Sequence, residues 1–244
     1  MAGVAAVAGL AVSLMLLESA APLNQIKTQP IAIAKVLIPA QRIDQNPQPD
    51  ATPIEEARLV EFFGLRSPAA SVVYAIDCSG SMAMHDSLDV AKRELLQSVD
   101  RLSPQTQFGV LVYNLETTIL TDADARPGLM DPTKANRASV KSQLAKIDPL
   151  GGTDHMTALR AALTMKPEVV YFLTDAELMT NTDVDEILRE VGSSSIQAIE
   201  FGFGEAPGEK HPLTRLAAAT GGSYVYTDVS RFPKRAKGVD EPPE

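Results

Sequence analysis

Residues 71–81 read SVVYAIDCSGS: six apolar or small residues rich in β-branched side chains, then an abrupt polar stop at Asp77-Cys78-Ser79-Gly80-Ser81. A short continuous apolar run without alternation predicts a strand buried on both faces. Two further runs have the same character, FGVLVY over 108–113 and VVYFL over 169–173, the second stopping at Thr174-Asp175. Between and after them the apolar residues recur at spacings of three and four, the period of a helix with one buried face. Leu88, Ala91, Leu95, Val99 and Leu102 follow a capping Ser87, and Val140, Leu144 and Ile147 follow a capping Thr133. Met156, Leu159 and Leu163 form a stripe stopped at Lys166-Pro167, and Val184, Ile187, Leu188 and Val191 one ended by Gly192. The remaining elements expected are a hairpin partner strand over 117–120, a strand over 196–203, a helix over 213–220 ended by Gly221-Gly222, and a last short strand over 223–226.

Alternating strands and helices with fully apolar strands predict an α/β fold. It should be a Rossmann-like, doubly wound, mostly parallel six-stranded sheet with helices on both faces. In such sheets ligands sit in the crevice beyond the carboxyl ends of the strands. Polar residues at those ends therefore carry the chemistry. The first run delivers Asp77, Ser79 and Ser81, the third delivers Asp175, and Gly151-Gly152-Thr153-Asp154 leads into a helix between them. Three separate segments thus bring short oxygen-bearing side chains to one edge. Mg²⁺ prefers oxygen ligands in near-octahedral geometry and retains waters. Short Asp, Ser and Thr side chains on glycine-containing turns meet that demand, because the backbone comes close to the ion.

This constellation resembles the metal-ion-dependent adhesion site of von Willebrand factor type A domains: Asp77-x-Ser79-x-Ser81, then Thr153, then Asp175. The resemblance covers about residues 68–230, with Ala176 standing where a glycine is common. It implies a sheet of about six strands with one antiparallel at an edge, and a divalent cation, Mg²⁺ or alternatively Mn²⁺ or Ca²⁺. Asp77, Ser79, Ser81, Thr153 and Asp175 are its expected ligands. It implies no catalytic residue, and a protein partner whose exposed carboxylate completes the coordination. An adhesion-type, membrane-tethered binding module is the leading expectation. The alternatives are an assembly or regulatory subunit of a larger, ATPase-linked complex and, more distantly, a metal- or Cys78-dependent hydrolase.

Composition excludes several other classes. The 244 residues carry a formal net charge of −9, no Trp and 5% aromatic residues, which disfavours phosphate-backbone and base-stacking contacts with nucleic acid. Cys78 is the single cysteine, so neither an internal disulfide nor a multi-cysteine zinc site can form. It is expected to pack as a small hydrophobe. His155 is expected at the surface at the start of its helix, Asp154 as that helix's cap, and Glu177 as an exposed loop acid. No nucleophile elbow surrounds Ser79 or Ser81, and the glycine-rich stretch 202–210 lacks the Gly-Lys-Ser/Thr of a phosphate loop, so a surface loop is expected there.

Four regions are expected along the chain. Residues 1–23 form an uncharged apolar stretch up to Glu18, read as a single-pass membrane anchor or uncleaved signal. That places the domain at a membrane, on its extracytoplasmic side. Residues 24–67 form a proline-containing stalk with a short helix over 54–65. Residues 68–230 form the domain, and 231–244 a charged tail too polar to order itself.

Overall fold

The computed structural model describes residues 58–175, 179–208 and 210–232. The anchor, most of the stalk, the tail from 233, and Ala176 and Glu177 lie outside the described residues. Among the described residues no helix is long and apolar enough to cross a membrane.

The six-stranded sheet is built from β3 (Ser71–Asp77), β4 (Gln107–Tyr113), β5 (Thr117–Ile119), β6 (Val169–Thr174), β7 (Ser195–Gly202) and β8 (Tyr224–Asp228). Its spatial order is β5-β4-β3-β6-β7-β8. All neighbours are parallel except β5, which turns back antiparallel on β4 at one edge. Within this sheet the path begins at β3 and winds outward through β4 and β5, then returns to β6 and winds the other way through β7 and β8. The reversal lies between β3 and β6, the strands that end at Asp77 and just before Asp175. An α/β sheet opens its ligand crevice at such a reversal.

Among the described residues five α-helices cover the sheet: α1 (Ser87–Asp100), α2 (Lys134–Leu144), α3 (His155–Thr164), α4 (Asn181–Glu190) and α5 (Pro212–Ala219). Side chains alternate across each strand, so two cores form. Val72, Tyr74, Ile76 and Cys78 face the first, with Leu88, Leu95 and Val99 of α1 and Val140 and Leu144 of α2. Val73 and Ala75 face the second, with Leu159 of α3, Ile187 of α4 and Leu216 of α5. Helix ends follow local chemistry. Thr133 accepts from Asn136 N at 3.2 Å, Asp154 accepts from Thr157 N at 3.0 Å, and Gly192 takes φ +62° just after α4. Ser87 is the first residue of α1 and not its cap; Asp86, at φ +55°, precedes it.

The helix expected in the stalk is also corrected. The short helix read over 54–65 is absent from its described part, which folds as a hairpin of β1 (Leu59–Phe62) and β2 (Leu65–Pro68). The helix-favouring residues Glu55, Glu56 and Ala57 precede it, but from Leu59 on tertiary burial decides. Val60 and Phe62 are buried in the first core while Leu59 is exposed. Phe63 (φ +48°) and Gly64 (φ +76°) make the left-handed two-residue turn that a tight hairpin requires. The Phe62 ring meets Tyr74 at 5.3 Å and Tyr171 at 5.6 Å, both edge-on. Tyr171 also shares its one hydroxyl proton between Val60 O (3.0 Å) and Leu65 O (3.2 Å), tying both hairpin strands to the sheet. Tyr171→Phe should therefore cost about 1 kcal/mol of stability, read as a lower urea midpoint at unchanged slope. An unchanged midpoint would show that the hydroxyl does not fasten the hairpin.

Candidate metal centre

Asp77 ends β3 and is fully buried. Its two oxygens have separate partners: Oδ1 accepts from Ser79 N at 2.8 Å, and Oδ2 from the Thr174 hydroxyl at 2.9 Å. Burial raises the Asp77 carboxyl above its ordinary value, opposed by the Ser79 and Thr174 hydrogen bonds and reinforced by the negative charge of Asp175. Ser79 Oγ lies 3.0 Å from Ser81 Oγ at the start of the 3₁₀ segment Gly80–Asp86. Asp77, Ser79 and Ser81 thus form one hydrogen-bonded cluster.

The loop bearing Thr153 is fastened beside this cluster by backbone bonds. Gly80 N donates to Gly151 O at 2.9 Å, Leu150 N to Cys78 O at 2.9 Å, and Asp154 N to Asn114 O at 2.8 Å. A Cβ on Gly80 would meet Gly151 O at 3.3 Å, so a glycine allows the two loops to approach this closely. Asp175 follows the last residue of β6 and shares the lining of a small cavity with Ser81. Its Oδ1 is buried without a hydrogen-bond partner. A buried carboxylate oxygen left unpaired is costly, and a bound cation or water would satisfy it. Among the described residues no three His, Cys, Asp or Glu side chains cluster as metal ligands do. Two carboxylates and three hydroxyls, all hard oxygen donors, suit Mg²⁺ better than softer metals.

Thr174 was not singled out in the sequence although it adjoins Asp175; its alternation with Phe172 on the same face of β6 is the signal that places it beside Asp77. His155 is corrected. It is buried, not at the surface, with its ring 5.9 Å from both Phe172 and Tyr113 and its Nδ1 3.3 Å from the Tyr113 hydroxyl. Tyr113 in turn is fully buried, and burial and then the Asp77 charge push its phenol well above the ordinary value. Cys78 is buried in the first core, whereas Tyr113 and Phe172, which enclose His155, belong to the second. The sheet separates the two residues, so no thiol–imidazole dyad is assembled. Burial, and then the neighbouring Asp77, push the Cys78 thiol up to about 11, which keeps it protonated and unreactive.

The sheet, the winding reversal and the oxygen cluster at it decide the family. The von Willebrand factor type A domain model matches residues 71–234, more than half of the chain. The chain belongs to the von Willebrand factor type A domain family. Domains of this family are commonly metal-dependent protein-interaction modules and typically not enzymes. Inter-alpha-trypsin inhibitor heavy chain H4 of Homo sapiens is 27% identical over 184 residues, covering 72% of this chain and 19% of the human protein. Uncharacterized protein YfbK of Escherichia coli (strain K12) is 21% identical over 173 residues, covering 66% and 29%. The chain thus spans less than a third of the length of these relatives. Among solved structures, von Willebrand factor type A from Catenulispora acidiphila superposes with a TM-score of 0.55 at 20% identity, covering 69% of this chain and 41% of that one. The conserved hypothetical protein BatB from Bacteroides thetaiotaomicron gives 0.50 at 18%, covering 65% and 90%. At such identities the likeness is one of fold.

A second polar group escaped the sequence reading. Glu200 pairs in register with Thr174, putting it on the strand next to the centre of this von Willebrand factor type A domain. It is buried, and its Oε2 accepts from the Tyr224 hydroxyl at 2.7 Å. His211 Nδ1 lies 3.2 Å from the same oxygen without the angle of a hydrogen bond. Burial raises the Glu200 carboxyl above 4.5, opposed by Tyr224 and reinforced by Asp175. Because the folded value exceeds the unfolded one, the fold binds the proton more tightly. The stability that Glu200 contributes is then fully present below 4.5 and is lost as pH rises through the folded value. Glu200→Gln keeps an acceptor for Tyr224 and cannot ionise. Its stability relative to the parent should grow in urea titrations taken from acid to neutral pH, and parallel curves would refute this.

Proposed function

We propose that the chain is a protein-binding module holding one divalent cation, Mg²⁺ foremost, through Asp77, Ser79, Ser81, Thr153 and Asp175, and that it grips an acidic side chain of a partner protein there. The observation that carries this reading is the unpaired, buried Asp175 Oδ1 beside the Asp77–Ser79–Ser81 cluster at the winding reversal. A bound cation supplies a positive, oxygen-seeking charge that a partner's carboxylate can complete. The chain's own residues do the rest. Asp77 is held by Ser79 N and the Thr174 hydroxyl, so its orientation is set before any ion arrives. Gly80 and Gly151 bring the serine and threonine loops together. The apolar strands beneath exclude water from the inner side. A Cys78-dependent hydrolytic reading has no support in this arrangement, since the thiol and the imidazole lie on opposite faces. The apolar stretch at 1–23 is proposed to tether the module to a membrane, with the domain on the extracytoplasmic side.

Calorimetric titration of the full chain with MgCl₂ should give a one-site isotherm. Thr153→Ala, which removes one neutral oxygen, should weaken it by at least about tenfold, the effect that loss of even an outer-shell partner produces. Absence of binding heat in the parent, or equal affinity in the variant, would defeat the assignment.

A further inference from the structure

The loops around the metal centre also carry apolar side chains that the fold leaves in water. Among the described residues the exposed large hydrophobics are Leu59, Met84, Leu115, Leu150 and Phe203. Leu59 belongs to the hairpin, and the other four stand on loops at the edge where Asp77 and Asp175 lie. Leu115, 65% exposed, occupies a tight turn closed by Asn114 N donating to Glu116 O at 2.9 Å. Its side chain covers Gly152, where a Cβ would touch Leu115 Cδ2 at 3.3 Å, one residue before Thr153. Leu150, 71% exposed, has its N–H bonded to Cys78 O and its carbonyl to Asn114 Nδ2, both at 2.9 Å. On the opposite side Met84 and Phe203 line one cavity with Ser81 and Asp175, and the Phe203 ring meets His85 at 5.2 Å.

Isolated exposed leucines are ordinary. Here two apolar pairs flank one polar centre, and the backbone bonds on the Leu115–Leu150 side prevent that pair from folding inward. Apolar surface kept exposed in this way marks an interaction site. The chain's net charge of −9 adds a constraint, because it repels a partner segment with many acidic residues. We infer that the partner offers a single carboxylate flanked on both sides by large apolar side chains, one resting on Leu115 and Leu150, the other on Met84 and Phe203. This rests on the cation-binding reading above and adds the character of the recognised segment.

The test uses immobilised synthetic peptides with a central Leu-Glu-Phe, Ser-Glu-Ser, Glu-Glu-Glu or Leu-Gln-Phe, probed with the full chain in MgCl₂. Leu-Glu-Phe should bind at least about tenfold tighter than Ser-Glu-Ser, since burying even one of its two large apolar side chains gives that much. Leu-Gln-Phe and Glu-Glu-Glu should bind weakly. Leu115→Ser with Leu150→Ser, and Met84→Ser with Phe203→Ser, should each reduce the preference, and the four substitutions together should erase it, while the Mg²⁺ isotherm stays intact. If the parent takes up Mg²⁺ but shows no preference for apolar flanks, or keeps the preference in both double variants, the inference fails and the cation reading stands. If no Mg²⁺ binds, both fall. Sedimentation showing a dimer that the serine variants dissolve would make a second copy the occupant. Partition onto phosphatidylcholine vesicles that the same variants lose would make it a lipid surface. Either result overturns the inference.

Discussion

Gly222→Ala should cost the fold about 3 kcal/mol or more, at the upper end of what overpacking does. In a domain of this size that lowers the melting temperature by about 6–12 °C. A Cβ at position 222 would stand 1.9 Å from Ile196 O, 2.6 Å from Ile196 C and 3.2 Å from Ser195 Oγ. The first two are backbone atoms of β7, which cannot swing aside as a side-chain tip can. The surrounding chain is pinned on every side: Gly222 N donates to Ala217 O, Ala198 N to Ser223 O, and Ser223 N to the Gln197 side chain, each at 2.9 Å. Relief would require separating β8 from β7 or lifting the end of α5. Gly208→Ala is the control, since a Cβ there meets nothing within 4 Å, and it should melt within about 1 °C of the parent. A Gly222→Ala protein that melts with the control would show that the α5–β8 connection is softer than its hydrogen bonds indicate.

That glycine shows what a sequence displays and what it withholds. Gly221-Gly222 announces a helix stop, and Gly221 takes the left-handed φ of +71° that such a stop needs. The second glycine serves a different end, close approach of two backbones, which no local pattern encodes because Ile196 lies far away in the chain. The same division runs through the fold. β3, β4 and β6 were legible because strands buried on both faces must be apolar throughout, and the helices because one buried face imposes the 3.6-residue period. The cluster of Asp77, Ser79 and Ser81 beside Asp175 was legible because these residues lie at strand ends that the topology brings together. The hairpin was not, since Glu55 to Ala57 carry helix propensity while the burial of Val60 and Phe62 under Tyr74 and Tyr171 is a tertiary effect. His155 was misplaced for the same reason. Its helix-start position is polar by local rules, yet Tyr113 and Phe172, from strands on either side of β3, enclose it. Glu200 was hidden inside an apolar strand, and only the registers of β6 and β8 give it neighbours.

Asp77→Asn should divide stability from binding. In the metal-free chain the variant should melt at the parent's temperature or above it, and added MgCl₂ should then have no effect on it. The parent should gain about 2.7 kcal/mol at a Mg²⁺ concentration near one hundred times its Kd, or about 5–11 °C. The first expectation follows from the surroundings of Asp77. The carboxylate is fully buried, and both that burial and the charge of Asp175 disfavour its ionised form. Asparagine removes the charge and keeps the hydrogen bonds. Its oxygen can accept from Ser79 N, which is fixed in direction, while its amide nitrogen turns to Thr174, whose hydroxyl can rotate to accept. The second expectation follows because a cation at this position needs the negative charge that the substitution deletes. Metal-free Asp77→Asn melting well below the parent would mean that the carboxylate is held for the fold itself. A variant that gains as much from MgCl₂ as the parent would place the cation elsewhere, and the unpaired oxygen of Asp175 would need another explanation.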